Sequence, residues 1–104
     1  MTGKKRRIIL DCDPGQDDAV NLLLAIAARD VFDILGITAV AGNVPLALCE
    51  KNARRIVELS GAADIPVFAG CARPMARTLV TAHHVHGESG LDGMTLFEPR
   101  IELK

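Results

Sequence analysis

The residues best equipped for chemistry sit near the start of the chain. Asp11-Cys12-Asp13-Pro14-Gly15-Gln16-Asp17-Asp18 places four carboxylates within eight positions. Asp11 and Asp13, two apart at the end of a strand, face the same side. Asp17 and Asp18 open the helix that follows, and the Pro14-Gly15 turn between the two pairs is short. Several of the acids must therefore lie close together, and crowded carboxylates repel one another unless something compensates. Hard oxygen donors select Ca²⁺ or Mg²⁺ over thiophilic metals, and they also accept hydrogen bonds from sugar hydroxyls. Taken singly, Asp17 has a simpler role as a helix cap and Asp18 as a surface acid. Taken together at the carboxyl end of a strand, the four point to a ligand site.

Other chemically capable residues are sparser. Asn43 follows a second strand just as the acidic loop follows the first, so it should share the same crevice; alone, it would read as a turn residue after Gly42. His83, His84 and His86 lack a nearby cysteine and precede a Gly-Glu-Ser-Gly stretch, which makes a poor zinc set. A lid that brings His86 over a ligand is the preferred reading, with a solvated loop close behind. Cys12, Cys49 and Cys71 are odd in number, widely spaced and without a C-x-x-C pair. They read as reduced, mostly buried small residues. A nucleophilic Cys12 is disfavoured by its carboxylate neighbours, which oppose a thiolate.

The elements that must position these residues follow from periodicity. Residues 7 to 11 read as a short buried strand, with Ile8, Ile9 and Leu10 in a row. A helix should begin near Asp17 and run to about Arg29, its early acids suiting the helix dipole. Its body is apolar almost all round, so it expects cover on several sides. A second strand spans residues 32 to 40. Pro45 fits the first turn of a second helix that runs to Ser60, with Gly61 as its stop. That helix offers Cys49, Ala53, Ile56, Val57 and Ser60 as one face. Residues 66 to 69 form a third short strand. The order β-α-β-α-β implies an open parallel sheet with flanking helices and right-handed crossovers. After Gly70 the periodicity fades into a long loop with at most a short helix, which in a compact domain is functional or incomplete. A three-stranded sheet beside a wholly apolar helix reads as an unfinished object, so residues beyond 104 are expected in longer relatives.

Composition excludes several classes. The 104 residues are 49% apolar, enough for a real core, and carry a formal net charge of −1. That balance argues against bulk affinity for nucleic acid or anionic membranes, and Lys4-Lys5-Arg6-Arg7 reads as a solvated lead-in to the first strand. No apolar run approaches the ~20 residues of a membrane span, and the N-terminus lacks the segment order of a signal peptide. A cytoplasmic location is expected.

The string Ile8 to Val20, IILDCDPGQDDAV, is similar to the D-x-D-P-G-x-D-D motif of the inosine-uridine nucleoside hydrolases. Ala41-Gly42-Asn43 and the stretch from His86 to Gly93, HGESGLDG, match further family segments in order and spacing. The resemblance implies the Rossmann-like nucleoside hydrolase fold, here its N-terminal β-α-β-α-β portion within a single domain. It implies cleavage of the N-glycosidic bond of a ribonucleoside to ribose and free base, as in purine and pyrimidine salvage or nucleoside catabolism. By the same resemblance Asp13 would act as general base and metal ligand, Asp18 as a Ca²⁺ ligand, and Asp17 and Asn43 as ribose-hydroxyl ligands. Asp11 would orient these groups from behind, and His86 would lie near the base. Full-length members are expected to form homo-oligomers.

The family completes its metal shell and leaving-group side with residues from much later in the chain, which this sequence does not include. The aromatic residues are Phe32, Phe68 and Phe97 alone, which tilts the expected base preference toward pyrimidine or mixed. Two other readings compete. A haloacid-dehalogenase-type phosphohydrolase would use Asp11 as nucleophile and Asp13 as acid/base with Mg²⁺, but leaves Pro14-Gly15 and the Asp17-Asp18 pair unexplained. A truncated product could bind metal or ribose without turnover.

Overall fold

A computed structural model of the chain describes residues 4–91 and 96–104, without the side chains of His83 and His86. The elements are β1 (Arg6–Cys12), α1 (Gln16–Ala27), β2 (Phe32–Ala39), α2 (Leu46–Leu59), β3 (Val67–Ala69) and α3 (His83–His86). The three strands form one sheet in the order β1-β2-β3, parallel throughout. The expected α/β architecture is the one observed. Element ends differ by a residue or two: α1 starts at Gln16 and stops at Ala27, and Pro45 occupies the N-cap of α2 rather than its first turn.

The core lies between the sheet and α2, which packs against β2, β3 and α1. Leu10, Ile37 and Val67 are register partners across all three strands, and Ile37 and Val67 are fully buried. Strand β2 does not alternate simply. The pairing shifts between Ile8↔Ile34 and Ile9↔Gly36, leaving Leu35 over as a bulge residue. One extra residue restores the phase, so Ile34 and Ile37, three apart in sequence, are both buried. Gly36 then sits on the other face, where an added Cβ would stand 3.1 Å from Phe68 Cε2.

Helix α1 turns Ala19, Leu22 and Ala25 inward while Val20 and Leu24 stay 65% and 68% exposed. The apolar outer face foreseen from its sequence is real. On the sheet face away from the core, Ile9 is 62% exposed and Phe68 40%. The buried face of α2 departs from expectation: besides Cys49, Ala53, Ile56 and Val57 it holds Asn52 and Arg55, both polar. Cys71 departs too, being exposed, whereas Cys12 and Cys49 are buried.

This layout separates structural apolar residues from dispensable ones. Ile37→Ala should lower the unfolding free energy by about 2–5 kcal/mol, the usual cost of emptying a packed core site. Leu24→Lys, on the exposed face of α1, should change it by less than about 0.5 kcal/mol. Urea titrations followed by far-ultraviolet circular dichroism check both; equal effects would contradict the packing described.

Candidate functional site

Parallel pairing brings the carboxyl ends of β1 and β2 side by side, and the site forms where both strands run out. The ladder continues one step beyond β2, with Val40 N donating to Cys12 O at 2.9 Å. Asp13 follows directly. Its backbone N–H donates to Asp18 Oδ2 at 3.1 Å, folding the first turn of α1 back over the loop. From the neighbouring strand tip, Asn43 N donates to Asp13 Oδ2 at 2.9 Å, and Asn43 Nδ2 donates to Asp13 O at 2.7 Å. Asp13 is thus held at its carboxylate and at its backbone by one residue. Gly42 makes this approach feasible, since a Cβ there would fall 2.1 Å from Asp13 Oδ2.

The structure therefore brings Asp13, Asp18 and Asn43 together. Asp17 lies beside them, exposed, on the first turn of α1. Asp11 is also exposed, and its carboxylate accepts a hydrogen bond from Thr38 Oγ1 at 2.6 Å, across to its register partner on β2. The side chain of His86 lies outside the described residues. The segment that carries it nonetheless touches the site, because Ala82 N donates to Asn43 O at 2.8 Å just before α3. A cavity of about 320 Å³ opens beside Asn43, lined by Val44, Pro45, Leu48, Thr81 and Glu88.

Electrostatics follows from crowding. Burial raises the Asp18 carboxyl above its ordinary range; the Asp13 N–H it accepts pulls it back, while the Asp13 and Asp17 carboxylates push it further up. Such a cluster is relieved by a cation or by hydrogen-bond donors. Burial pushes the Cys12 thiol up to about 12, with Asp18, Asp11 and Asp13 adding to it. Burial likewise raises Cys49, whose Sγ donates to Val44 O at 3.2 Å.

Among the described residues no group of three or more His, Cys, Asp or Glu side chains is arranged to hold a metal. The donors that do meet, the carboxylates of Asp13 and Asp18, fit a hard cation in kind. They fall short in number, because Ca²⁺ takes six to eight oxygens.

Thiol chemistry offers a direct check on this electrostatic picture. Without added cation at pH 8, a thiol raised to about 12 is ionised to roughly one part in ten thousand, and only the thiolate reacts. Iodoacetamide should therefore label exposed Cys71 and spare Cys12 and Cys49 until urea unfolds the chain. The raised value also means that the neutral thiol stabilises the fold below its unfolded-state pKa, and that this contribution is lost as pH rises towards 12. Mass spectrometry of labelled peptides reads the outcome; early labelling of Cys12 would contradict it.

Comparison with known proteins agrees with this geometry. The family model described as "Inosine-uridine preferring nucleoside hydrolase" matches residues 8–103. The chain is 50% identical over 94 residues to the pyrimidine-specific ribonucleoside hydrolase RihA of Shewanella woodyi, covering 90% of this chain and 30% of that protein. It is 46% identical over 86 residues to the inosine-uridine preferring nucleoside hydrolase of Crithidia fasciculata, covering 83% of this chain and 27% of that protein. A purine-preferring ribonucleoside hydrolase structure from Gardnerella vaginalis superposes with a TM-score of 0.86 at 23% identity, over 95% of this chain and 32% of that one, a likeness of fold. The chain spans about a third of the length of these relatives. The strand-end acids, the parallel β-α-β-α-β order and the match across nearly the whole sequence place this chain in the inosine-uridine preferring nucleoside hydrolase family.

Proposed function

We propose that these 104 residues form the metal- and ribose-binding portion of a single-domain hydrolase that splits ribonucleosides into ribose and free base. The observation that carries this reading is the convergence of Asp13, Asp18 and Asn43 at the shared carboxyl edge of β1 and β2. Ligands of open α/β sheets bind at that edge. Asp13 and Asp18 would hold Ca²⁺, whose service when bound is to orient and polarise a water. Asp13 would serve as the general base, its carboxylate accepting a proton from the attacking water. Asp17 and Asn43 bind ribose hydroxyls, so a 2′-deoxy substrate would leave them unpaired and be rejected. Positive charge grows on the sugar in the oxocarbenium-like transition state, beside the carboxylates. Asp11, held by Thr38, would steady the strand end that delivers Asp13, and His86 would serve on the base side.

The names of the two sequence relatives leave base preference at pyrimidine or mixed. Assembly as a homo-oligomer in full-length form and a cytoplasmic location belong to the same reading. Among the described residues no helix is long and apolar enough to cross a membrane. The phosphohydrolase alternative is displaced by the family match. A binding role without turnover is favoured for the isolated chain by one observation: among the described residues no third acidic, His or Cys side chain joins Asp13 and Asp18, so a bound ion would keep extra waters and bind weakly.

Four outcomes are expected. Residues 1–104 with Ca²⁺ should release no useful ribose from uridine or inosine in a reducing-sugar assay, and robust turnover by a verified monomer would refute the incomplete-site argument. In a full-length relative, replacing the counterpart of Asp13 by Ala should abolish turnover. Replacing that of Asn43 should cost about 1–3 kcal/mol in kcat/KM, the loss of a buried polar contact. Calorimetric titration should show calcium binding; tight zinc binding with no calcium response would overturn the choice of metal.

A further inference from the structure

Asn52 is fully buried on α2, and its side chain reaches away from its own helix. Its Nδ2 donates to Pro14 O at 3.1 Å, inside the acidic loop, and to Ser89 O at 2.7 Å, in the segment after α3. Its Oδ1 accepts from Arg55 Nη1 at 2.8 Å. A guanidinium only donates, so the orientation of the amide is fixed: oxygen towards Arg55, nitrogen towards the two carbonyls. Arg55, 6% exposed, is itself anchored through Nε to Phe97 O at 2.8 Å.

The packing around this contact is equally tight. Gly90 has φ +87°, and an added Cβ would lie 2.9 Å from Asn52 Nδ2, 3.2 Å from Val44 Cγ2 and 3.3 Å from Pro14 O. Leu91 follows, 1% exposed, its N–H donating to Ser89 Oγ at 3.1 Å. The other end of the same segment is tied to Asn43 through Ala82 N. Residues 82–91 are thus fastened at one end to Asn43 and at the other, through Asn52, to the loop that carries Asp13.

We infer that Asn52 is a positioning residue that locks the acidic loop and the segment after α3 into one unit, so that a ligand taken up at Asp13 and Asp18 sets the placement of that segment. The coupling rests on the reading of the acidic loop as a cation and ribose site; the lock itself does not. Buried polar networks of this kind specify a single arrangement because each unmet partner is costly.

Asn52→Asp is the informative variant. It keeps the oxygen that Arg55 needs and turns the donor into an acceptor facing two carbonyls. Nitrogen-15 spectra of the 104-residue chain supply two readouts. Amide exchange measured without cation should speed up at Leu91 by about tenfold or more, while β2 amides stay as in the parent. Calcium, used as the probe, should shift the Asp13, Asp18 and Leu91 resonances in the parent, and only Asp13 and Asp18 in the variant. A smaller change in exchange, or a calcium shift that still reaches Leu91 in Asn52→Asp, overturns the inference. If Asn52→Asp fails to fold, Gly90→Ala decides by the same two readouts, since it forces the segment off Asn52 without altering that residue. Silence of Asp13 and Asp18 towards calcium in the parent would sink the ligand-site reading, and the exchange comparison would still decide the lock.

Discussion

Asn43 grips Asp13 twice, once through its backbone N–H on the carboxylate and once through its side-chain amide on the carbonyl. Much of the site depends on this contact. A carboxylate beside other carboxylates would swing towards solvent if left alone; two donors from the adjacent strand tip keep it in place. The grip requires β1 and β2 to be parallel, since only then do both strands deliver their following loops to the same edge. It also requires Gly42, because a side chain there would occupy the position of the Asp13 oxygen. The first turn of α1 closes the arrangement by supplying Asp18 as acceptor for the Asp13 N–H.

Crowding is the counterpart of that grip. Asp18 is shifted towards its neutral form by burial and by its acidic neighbours, and Cys12 is driven the same way. The acidic loop therefore concentrates like charge of the kind that a cation or hydrogen-bond donors relieve. One contact deeper, the Asn52 amide and the Arg55 guanidinium replace water for the backbone carbonyls of Pro14, Ser89 and Phe97.

The sequence disclosed the acidic loop because four carboxylates around Pro14-Gly15 have few other uses. It disclosed the alternation of strands and helices because Ile8 to Leu10 and the stretch around Ile37 are apolar and short. The exposed outer face of α1 was legible as well, in a helix with too many apolar positions for one buried side. Asn52 and Arg55 were not legible. Polar residues on a helix ordinarily face water, and their partners are carbonyls of Pro14, Ser89 and Phe97, groups present at every residue that leave no mark in the sequence. The one available signal was spacing: Asn52 and Arg55 fall in phase with Cys49 and Ile56 on the apolar face. Cys71 was misplaced for a related reason, since small apolar residues give no indication of burial once periodicity has faded.

Strand β2 is two half-strands spliced out of phase at Leu35. Phe32 to Ile34 follow one alternation and Gly36 to Ala39 the other, and only the surplus residue reconciles them. Pairing Leu35 into the ladder would force a choice. Either Ile34 stays inward and Thr38 replaces Ile37 in the core, or the half near Asp13 keeps its phase and Ile34 is turned out to solvent. The Leu35 side chain is 47% exposed, outside the buried core. Natural variation at this position should therefore be generous in residue type and tolerant of loss: many side chains, or none, since deletion joins Ile34 to Gly36 in a simple alternation.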